Sequence, residues 1–197
     1  MEKTILNKEK RSHVFTIDRI RHENEMTSSL IMKESLEGEP GQFLLLWLPG
    51  VGEKPFSIAG TDPLVVTVAD VGKLTHEIHT LQPGDRVWIR GPFGQGYQAY
   101  GTDALLVGGG YGASPLLFLA ETLIKKGTRV QVFLGARTKD LLILKDQFEE
   151  RPQAYTQASC GSGKFRIDSS RGTVTNPWIP QEPSFVVIYI FSRSSSN

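Results

Sequence analysis

The chain has 197 residues, 22% of them charged and 39% hydrophobic, with a formal net charge of +1. So even a balance gives no footprint for nucleic acid or an anionic membrane, and no apolar run approaches the roughly 20 residues needed to cross a bilayer. One cysteine, Cys160, excludes an intrachain disulfide and any all-cysteine metal site. The N-terminus lacks the apolar core of a signal peptide, so a cytoplasmic location is the default expectation.

From the start to about residue 100 the pattern is antiparallel β. Val14-Phe15-Thr16-Ile17-Asp18-Arg19-Ile20 alternates in part between apolar and polar, as a half-buried strand does, and Ser29 to Met32 resembles a second strand. Glu39-Pro40-Gly41-Gln42 is turn chemistry. It leads into Phe43-Leu44-Leu45-Leu46-Trp47-Leu48, apolar throughout and therefore expected to be buried on both faces. Another turn, Pro49-Gly50-Val51-Gly52, precedes Lys54-Pro55-Phe56-Ser57-Ile58-Ala59, and Leu64 to Ala69 is β-branched enough to be a strand. Lys73 to Leu81 is the helix-like piece of this half, after which Pro83-Gly84-Asp85 turns the chain into Arg86-Val87-Trp88-Ile89-Arg90. Short strands at roughly 8–12-residue spacing with turn signals between them predict a small barrel.

Beyond Gly91-Pro92-Phe93-Gly94-Gln95-Gly96-Tyr97 the texture becomes α/β, with a boundary near residues 100–103. The expected elements are a strand over Ala104–Val107, a helix over Leu116–Lys126, a strand over Arg129–Leu134 and a helix over Lys139–Glu149. Between the first two lies Gly108-Gly109-Gly110-Tyr111-Gly112-Ala113-Ser114-Pro115. A strand, a glycine turn and a helix in that order set backbone N–H groups against an anionic ligand, and Pro115 suits a first helical turn. Gly108-x-Gly110-x-x-Ala113 fits the dinucleotide fingerprint, but the next strand ends in Gly135-Ala136-Arg137 rather than in a ribose-binding acid. A glycine turn without a ligand is the structural alternative.

The order Pro-Gly-Gln-Phe (40–43), Lys-Pro-Phe-Ser (54–57), Pro-Gly-Asp (83–85), Gly-Pro-Phe-Gly (91–94) and Gly-Gly-Gly-x-Gly-x-x-Pro resembles the ferredoxin–NADP reductase superfamily. Within it, Gly-Pro-Phe-Gly-Gln-Gly-Tyr and the surrounding spacing are most similar to the electron-transfer subunits of type B dihydroorotate dehydrogenase, over about residues 14–150. The resemblance implies an antiparallel six-stranded flavin-binding barrel over 1–100. It also implies a partial Rossmann-like α/β nucleotide-binding domain over 101–150, leaving 151–197 as an atypical tail.

By position, Lys54, Pro55, Phe56 and Ser57 match an Arg-Pro-x-Ser-like element that lies along FAD. Lysine in place of arginine keeps the charge but loses the bidentate fork. Thr67, Val68 and Ala69 match the strand passing the adenine side, and Gly72, Lys73, Leu74 and Thr75 match the turn that holds the FAD diphosphate. Gly108, Gly109, Gly110, Gly112 and Pro115 would face the nicotinamide nucleotide, NAD or NADP, with Arg137 across from them. Read from the residues alone, Lys54 equally suits a solvated surface lysine, Thr75 a plain helix N-cap and Arg137 an ion pair with Asp140. His76 and His79 are three apart but have no carboxylate or cysteine placed beside them to make a metal site, and Gly161-Ser162-Gly163-Lys164 lacks the rest of a Walker motif.

The resemblance further implies a catalytic, FMN-bearing dihydroorotate dehydrogenase subunit as partner, in a heterotetramer. Electrons from dihydroorotate would pass through a [2Fe–2S] cluster to FAD and on to NAD+, with flavin N5 rather than a protein acid or base carrying the chemistry. The four cysteines of that cluster are absent, since Cys160 stands alone. Residues 151–183 show neither helical nor strand periodicity, and only Ser184–Phe191 reads as a strand. The abrupt loss of pattern suggests a truncated or frame-shifted tail. Two other readings remain open: a diaphorase-type subunit of a hydrogenase or ferredoxin-linked oxidoreductase, and a non-catalytic flavin-binding remnant.

Overall fold

The computed structural model describes residues 11–97, 102–136 and 138–150, together with the backbone of four strands within 154–160, 164–168, 173–178 and 185–191. It divides into two compact units, Met1–Tyr97 and Gln98–Asn197.

In the first unit, β1 (His13–Asn24), β2 (Thr27–Met32), β3 (Phe43–Leu48), β4 (Gly52–Thr61), β5 (Leu64–Ala69) and β6 (Arg86–Phe93) close into a barrel in the order β1-β2-β5-β4-β3-β6. The helix α1 (Lys73–His79) follows β5. Closure leaves no strand edge unpaired and gives each strand an inner and an outer face. Leu64, Val66 and Val68 of β5, with Val87 and Ile89 of β6, alternate into the interior at 1% exposure or less.

The strand Phe43–Leu48 follows the same rule, which corrects the expectation that it is buried on both faces. Leu44 and Leu46 are fully buried, whereas Phe43 and Trp47 are each 37% exposed. The outward pair is not solvated singly. Phe43 lies opposite Phe93 and Trp47 opposite Trp88 across β3 and β6, with ring centroids 5.7 and 5.6 Å apart. Cross-strand aromatic pairs of this kind stabilise an outer sheet face by about 0.5–1.5 kcal/mol each beyond their buried area.

Two sequence motifs turn out to be one clasp. The Gln42 side chain donates from Nε2 to the Gly94 carbonyl (3.0 Å) and accepts at Oε1 from the Glu39 N–H (2.8 Å). The Tyr97 N–H donates to the Pro40 carbonyl at 2.8 Å, and the Tyr97 ring lies so close to Gly41 that a Cβ there would meet Cδ2 at 2.9 Å. Glycine at 41, with φ +99°, is thus required twice over.

The second unit has a four-stranded sheet in the order β12-β7-β8-β9: β7 is Asp103–Gly109, β8 Arg129–Ala136, β9 Ala154–Cys160 and β12 Phe185–Phe191. β7, β8 and β9 are parallel, and β12 is antiparallel to β7. β7 reaches β8 through a 3-10 turn, Gly110–Gly112, and the helix α2 (Ala113–Lys125), whose Leu116, Leu119, Ala120 and Leu123 pack on the sheet. At the other end of β7 and β8, Arg129 grips Asp103 through two hydrogen bonds of 3.0 and 2.9 Å. β10 (Lys164–Asp168) and β11 (Thr173–Trp178) form a separate two-stranded sheet.

Two expectations are corrected here. Lys139–Glu149 is not one helix: a 3-10 turn at Lys139–Leu141 is followed by an extended stretch and then by α3 (Lys145–Glu149). The cause is the apolar run over 141–144. Ile143 and Leu144 are buried at 3% and 5%; the chain is already extended at Leu142, and Leu144, at φ +63°, is the residue from which α3 starts. The stretch 151–183, read as patternless, carries β9, β10 and β11. β9 pairs in unbroken parallel register with β8, from Val130↔Ala154 to Ala136↔Cys160, although its sequence, Ala-Tyr-Thr-Gln-Ala-Ser-Cys, carries no β-branched or large aliphatic run.

Candidate functional site

The Lys54-Pro55-Phe56-Ser57 element lies on β4, where pairing with β3 assigns its faces. Phe56 is opposite Leu44 and Lys54 opposite Leu46, so these two share the face of the barrel interior, as does Ile58 opposite Val66. Along that face Ile58 is fully buried, Phe56 half-buried and Lys54 exposed, so the strand runs from the core into the open. Pro55 and Ser57 are on the other face, exposed, opposite Leu45 and Phe43.

The Lys54 ammonium points at the turn before α1. Its Nζ lies 3.8 Å from where a Cβ on Gly72 would stand. Gly72 has extended backbone (φ 174°), so glycine is not demanded by strain there. What it provides is open space beside a cation. The structure therefore brings residue 54 and the 72–75 turn together.

Thr75, in the turn matched to the FAD diphosphate, has its hydroxyl bonded within the turn itself. It is 3% exposed. Its Oγ1 accepts from the N–H groups of Val71 (3.0 Å) and Gly72 (2.9 Å) and donates to the Gly72 carbonyl (2.8 Å). The hydroxyl proton is spent inside the turn, and the side chain acts as its internal brace. The first-turn N–H groups of Lys73 and Leu74 have no acceptor within the helix, as at any helix start. Leu74 itself is buried as a core residue.

The two histidines of α1 have separate partners. His76 Nδ1 is 3.0 Å from Asp70 Oδ2, and that hydrogen bond, then the carboxylate's charge, raises its pKa above 6.5. His79 donates from Nε2 to the Val68 carbonyl at 3.0 Å. Among the described residues there is no group of three or more side chains able to hold a metal. Of the β5 trio, Val68 points into the barrel core at 1% exposure, Ala69 is half-buried, and half-buried Thr67 bonds Ser29 at 2.8 Å on the outer wall. Asp70 and Ser29 carried no sequence signal beyond their residue type.

In the second unit the glycines separate by role. A Cβ on Gly108 would stand 2.5 Å from Leu116 Cδ1, so this glycine admits α2 to the sheet. Gly109 is buried and extended, Gly110 takes φ +55°, and Gly112 is helical at φ −65°. Pro115 is buried in the first turn of α2, where its missing N–H costs no hydrogen bond. Arg137 lies outside the described residues.

No family model matches the chain. Over 150 residues it is 38% identical to a protein of Methanocaldococcus jannaschii named "Probable dihydroorotate dehydrogenase B (NAD(+)), electron transfer subunit", a match covering 76% of this chain and 58% of that one. A protein of the same name from Thermococcus kodakarensis is 43% identical over 133 residues, covering 68% and 56%. The chain is a homologue of dihydroorotate dehydrogenase B electron-transfer subunits. It spans a little over half the length of these relatives. Among solved structures, an NADH-dependent reduced ferredoxin-NADP oxidoreductase superposes with TM-score 0.66 at 31% identity, covering 78% of this chain and 60% of that one. Phthalate dioxygenase reductase does so with TM-score 0.64 at 19% identity (76% and 52%), a likeness of fold alone. The six-stranded barrel followed by a parallel sheet with its helix is the ferredoxin–NADP reductase architecture. No helix among the described residues is long and apolar enough to cross a membrane.

Proposed function

We propose that this chain is the FAD-holding part of an electron-transfer subunit that relays electrons from the catalytic FMN subunit of a dihydroorotate dehydrogenase to NAD+, assembled with it as a heterotetramer. The observation that carries the reading is the Lys54 ammonium beside the open Gly72 turn, in a chain related to proteins of that name. A cation next to a position with no side chain suits a diphosphate. Lys54 neutralises it, Gly72 lets it approach, Thr75 keeps the turn in shape, and half-buried Phe56 offers an apolar surface on the same strand face. Ser57 and Pro55 line the strand's other face, while Thr67 and Ala69 continue the seat along β5. FAD, when bound, supplies the electron-carrying chemistry, so the protein's work is binding and orientation. In the second unit, Gly109, Gly110 and Gly112 would let the backbone approach a nicotinamide nucleotide, with Arg137 as a further contact. The [2Fe–2S] cluster does not fit this chain, which has one cysteine where four ligands are needed.

A second reading, a flavin subunit of a ferredoxin-linked pyridine-nucleotide oxidoreductase, is favoured by the 31% identity to the NADH-dependent enzyme. Co-purification with a dihydroorotate-oxidising partner separates the two. For the seat itself, the purified chain should show flavin absorption that NADH bleaches. Lys54→Met should weaken FAD about ten- to hundredfold, the loss of one charge-assisted contact. A chain that takes up no FAD at millimolar concentration, or a K54M variant binding as tightly as the wild type, refutes the reading.

A further inference from the structure

The turn that carries Gly72 is entered through Asp70, a charged side chain that the proposed seat does not use. Asp70 follows β5 directly, and its N–H donates to the Met26 carbonyl at 2.8 Å, which fixes its place at the end of the barrel. The ladder between β4 and β5 runs up to the pair Ile58↔Val66. Carried on past that pair, the same antiparallel register sets Lys54 level with Asp70, and residues so opposed share a face. A lysine and an aspartate in that relation are natural partners. Among the described residues, however, Lys54 has no ion pair. Asp70 Oδ2 is instead 3.0 Å from His76 Nδ1, with the aspartate side chain 25% and the histidine 69% exposed.

Few other charges surround this pair. The helix α1 packs on β5 and β4. β5 carries no titratable side chain, and of the two on β4, Glu53 is taken by a bidentate contact with Arg90, which leaves Lys54. On α1 itself Lys73 is exposed, His79 is bonded to the Val68 carbonyl, and Glu77 adds to the attraction for a proton on His76, after Asp70. The β1–β2 hairpin next to Met26 adds exposed Glu25. An imidazolium holds the Asp70 carboxylate by charge as well as by hydrogen bond. A neutral ring keeps the hydrogen bond alone, and the carboxylate is then drawn by its charge to the Lys54 ammonium. A lysine so neutralised has less to offer an anion.

We infer that His76 is a positioning residue: protonated, it holds the Asp70 carboxylate off Lys54, and neutral, it releases that carboxylate to compete with a diphosphate for the lysine. The seat thereby grips FAD more tightly below the His76 midpoint than above it. This rests on the FAD reading above and adds the regulation of that site.

The test is a fluorescence titration of the full chain, stripped of flavin, with FAD between about pH 5.5 and 8.5, the range in which a histidine changes charge. Wild-type affinity should fall about two- to fivefold as pH rises, the worth of one exposed charge pair. His76→Gln, a neutral donor, should bind FAD at every pH as the wild type does at the upper end, and His76→Ala should bind no more tightly. Asp70→Asn should bind without a pH slope and at least as tightly as the wild type at the lower end. The double variant H76A/D70N should match D70N, because the histidine acts through the aspartate; a role confined to bracing the turn would not be rescued this way. A level wild-type profile, a slope that survives in D70N, or an H76A loss that D70N does not restore would overturn the inference while leaving the FAD reading intact. A wild-type chain that takes up no FAD at either end of the range overturns both.

Discussion

Gly108 is where a packing glycine and a ligand-approach glycine make opposite predictions. In Gly108→Ala the new methyl would stand 2.5 Å from Leu116 Cδ1 and 3.4 Å from the Ala113 Cα. Carbon atoms rest at about 3.5–4.0 Å, so the Leu116 methyl must retreat by about an ångström or more. Leu116 is fully buried against the sheet, and the backbone of α2 blocks the other side. Overpacking of this kind costs about 1–3 kcal/mol. At about 1.4 kcal/mol per factor of ten, amide exchange in β7 and α2 should accelerate about five- to hundredfold with no nucleotide present. Leu116→Ala alone should cost about 2–5 kcal/mol by leaving a cavity. In the double variant the new methyl fills part of that cavity, so the combined loss should fall short of the sum by about 1 kcal/mol or more. Wild-type exchange in G108A, or strict additivity in the pair, would refute the packing role.

Two further outcomes follow from the turn before α1. Thr75→Val keeps the side chain's shape but leaves the Val71 and Gly72 N–H groups without their acceptor, so urea denaturation should show a loss of about 1–3 kcal/mol, which Thr75→Ser restores; an unchanged T75V would remove the hydroxyl from the account. His76 should titrate by NMR with a midpoint above 6.5, and Asp70→Asn should bring it back toward that value. The sign is that of a raised histidine: the stabilisation from the His76–Asp70 pair is complete below about pH 6.5 and is lost as pH rises through the folded-state midpoint. A midpoint at or below 6.5 would mean the pair does not form in solution.

Local chemistry in the sequence determined where the strands of the barrel and the first βαβ unit lie, because β-branched runs, Pro-Gly-Asp turns and the glycine turn into α2 each act within a few residues. Five motifs in order, each weak alone, were enough to indicate the fold and the kinship. What only the tertiary structure decided involves partners far apart in the chain. Phe43–Leu48 has no polar residue to mark its outer face, so closure of the barrel assigned Phe43 and Trp47 outward and supplied Phe93 and Trp88 to meet them. β9, Ala-Tyr-Thr-Gln-Ala-Ser-Cys, has no β-branched or large aliphatic run to mark it, and its parallel pairing with β8 is what places it. Lys54 and Gly72 are eighteen residues apart, and Thr67 and Ser29 thirty-eight, yet the register of β2, β4 and β5 and the turn before α1 set each pair side by side. Residue type says that a lysine carries charge and a threonine a proton. Which neighbours each one meets is a property of the folded wall that holds them.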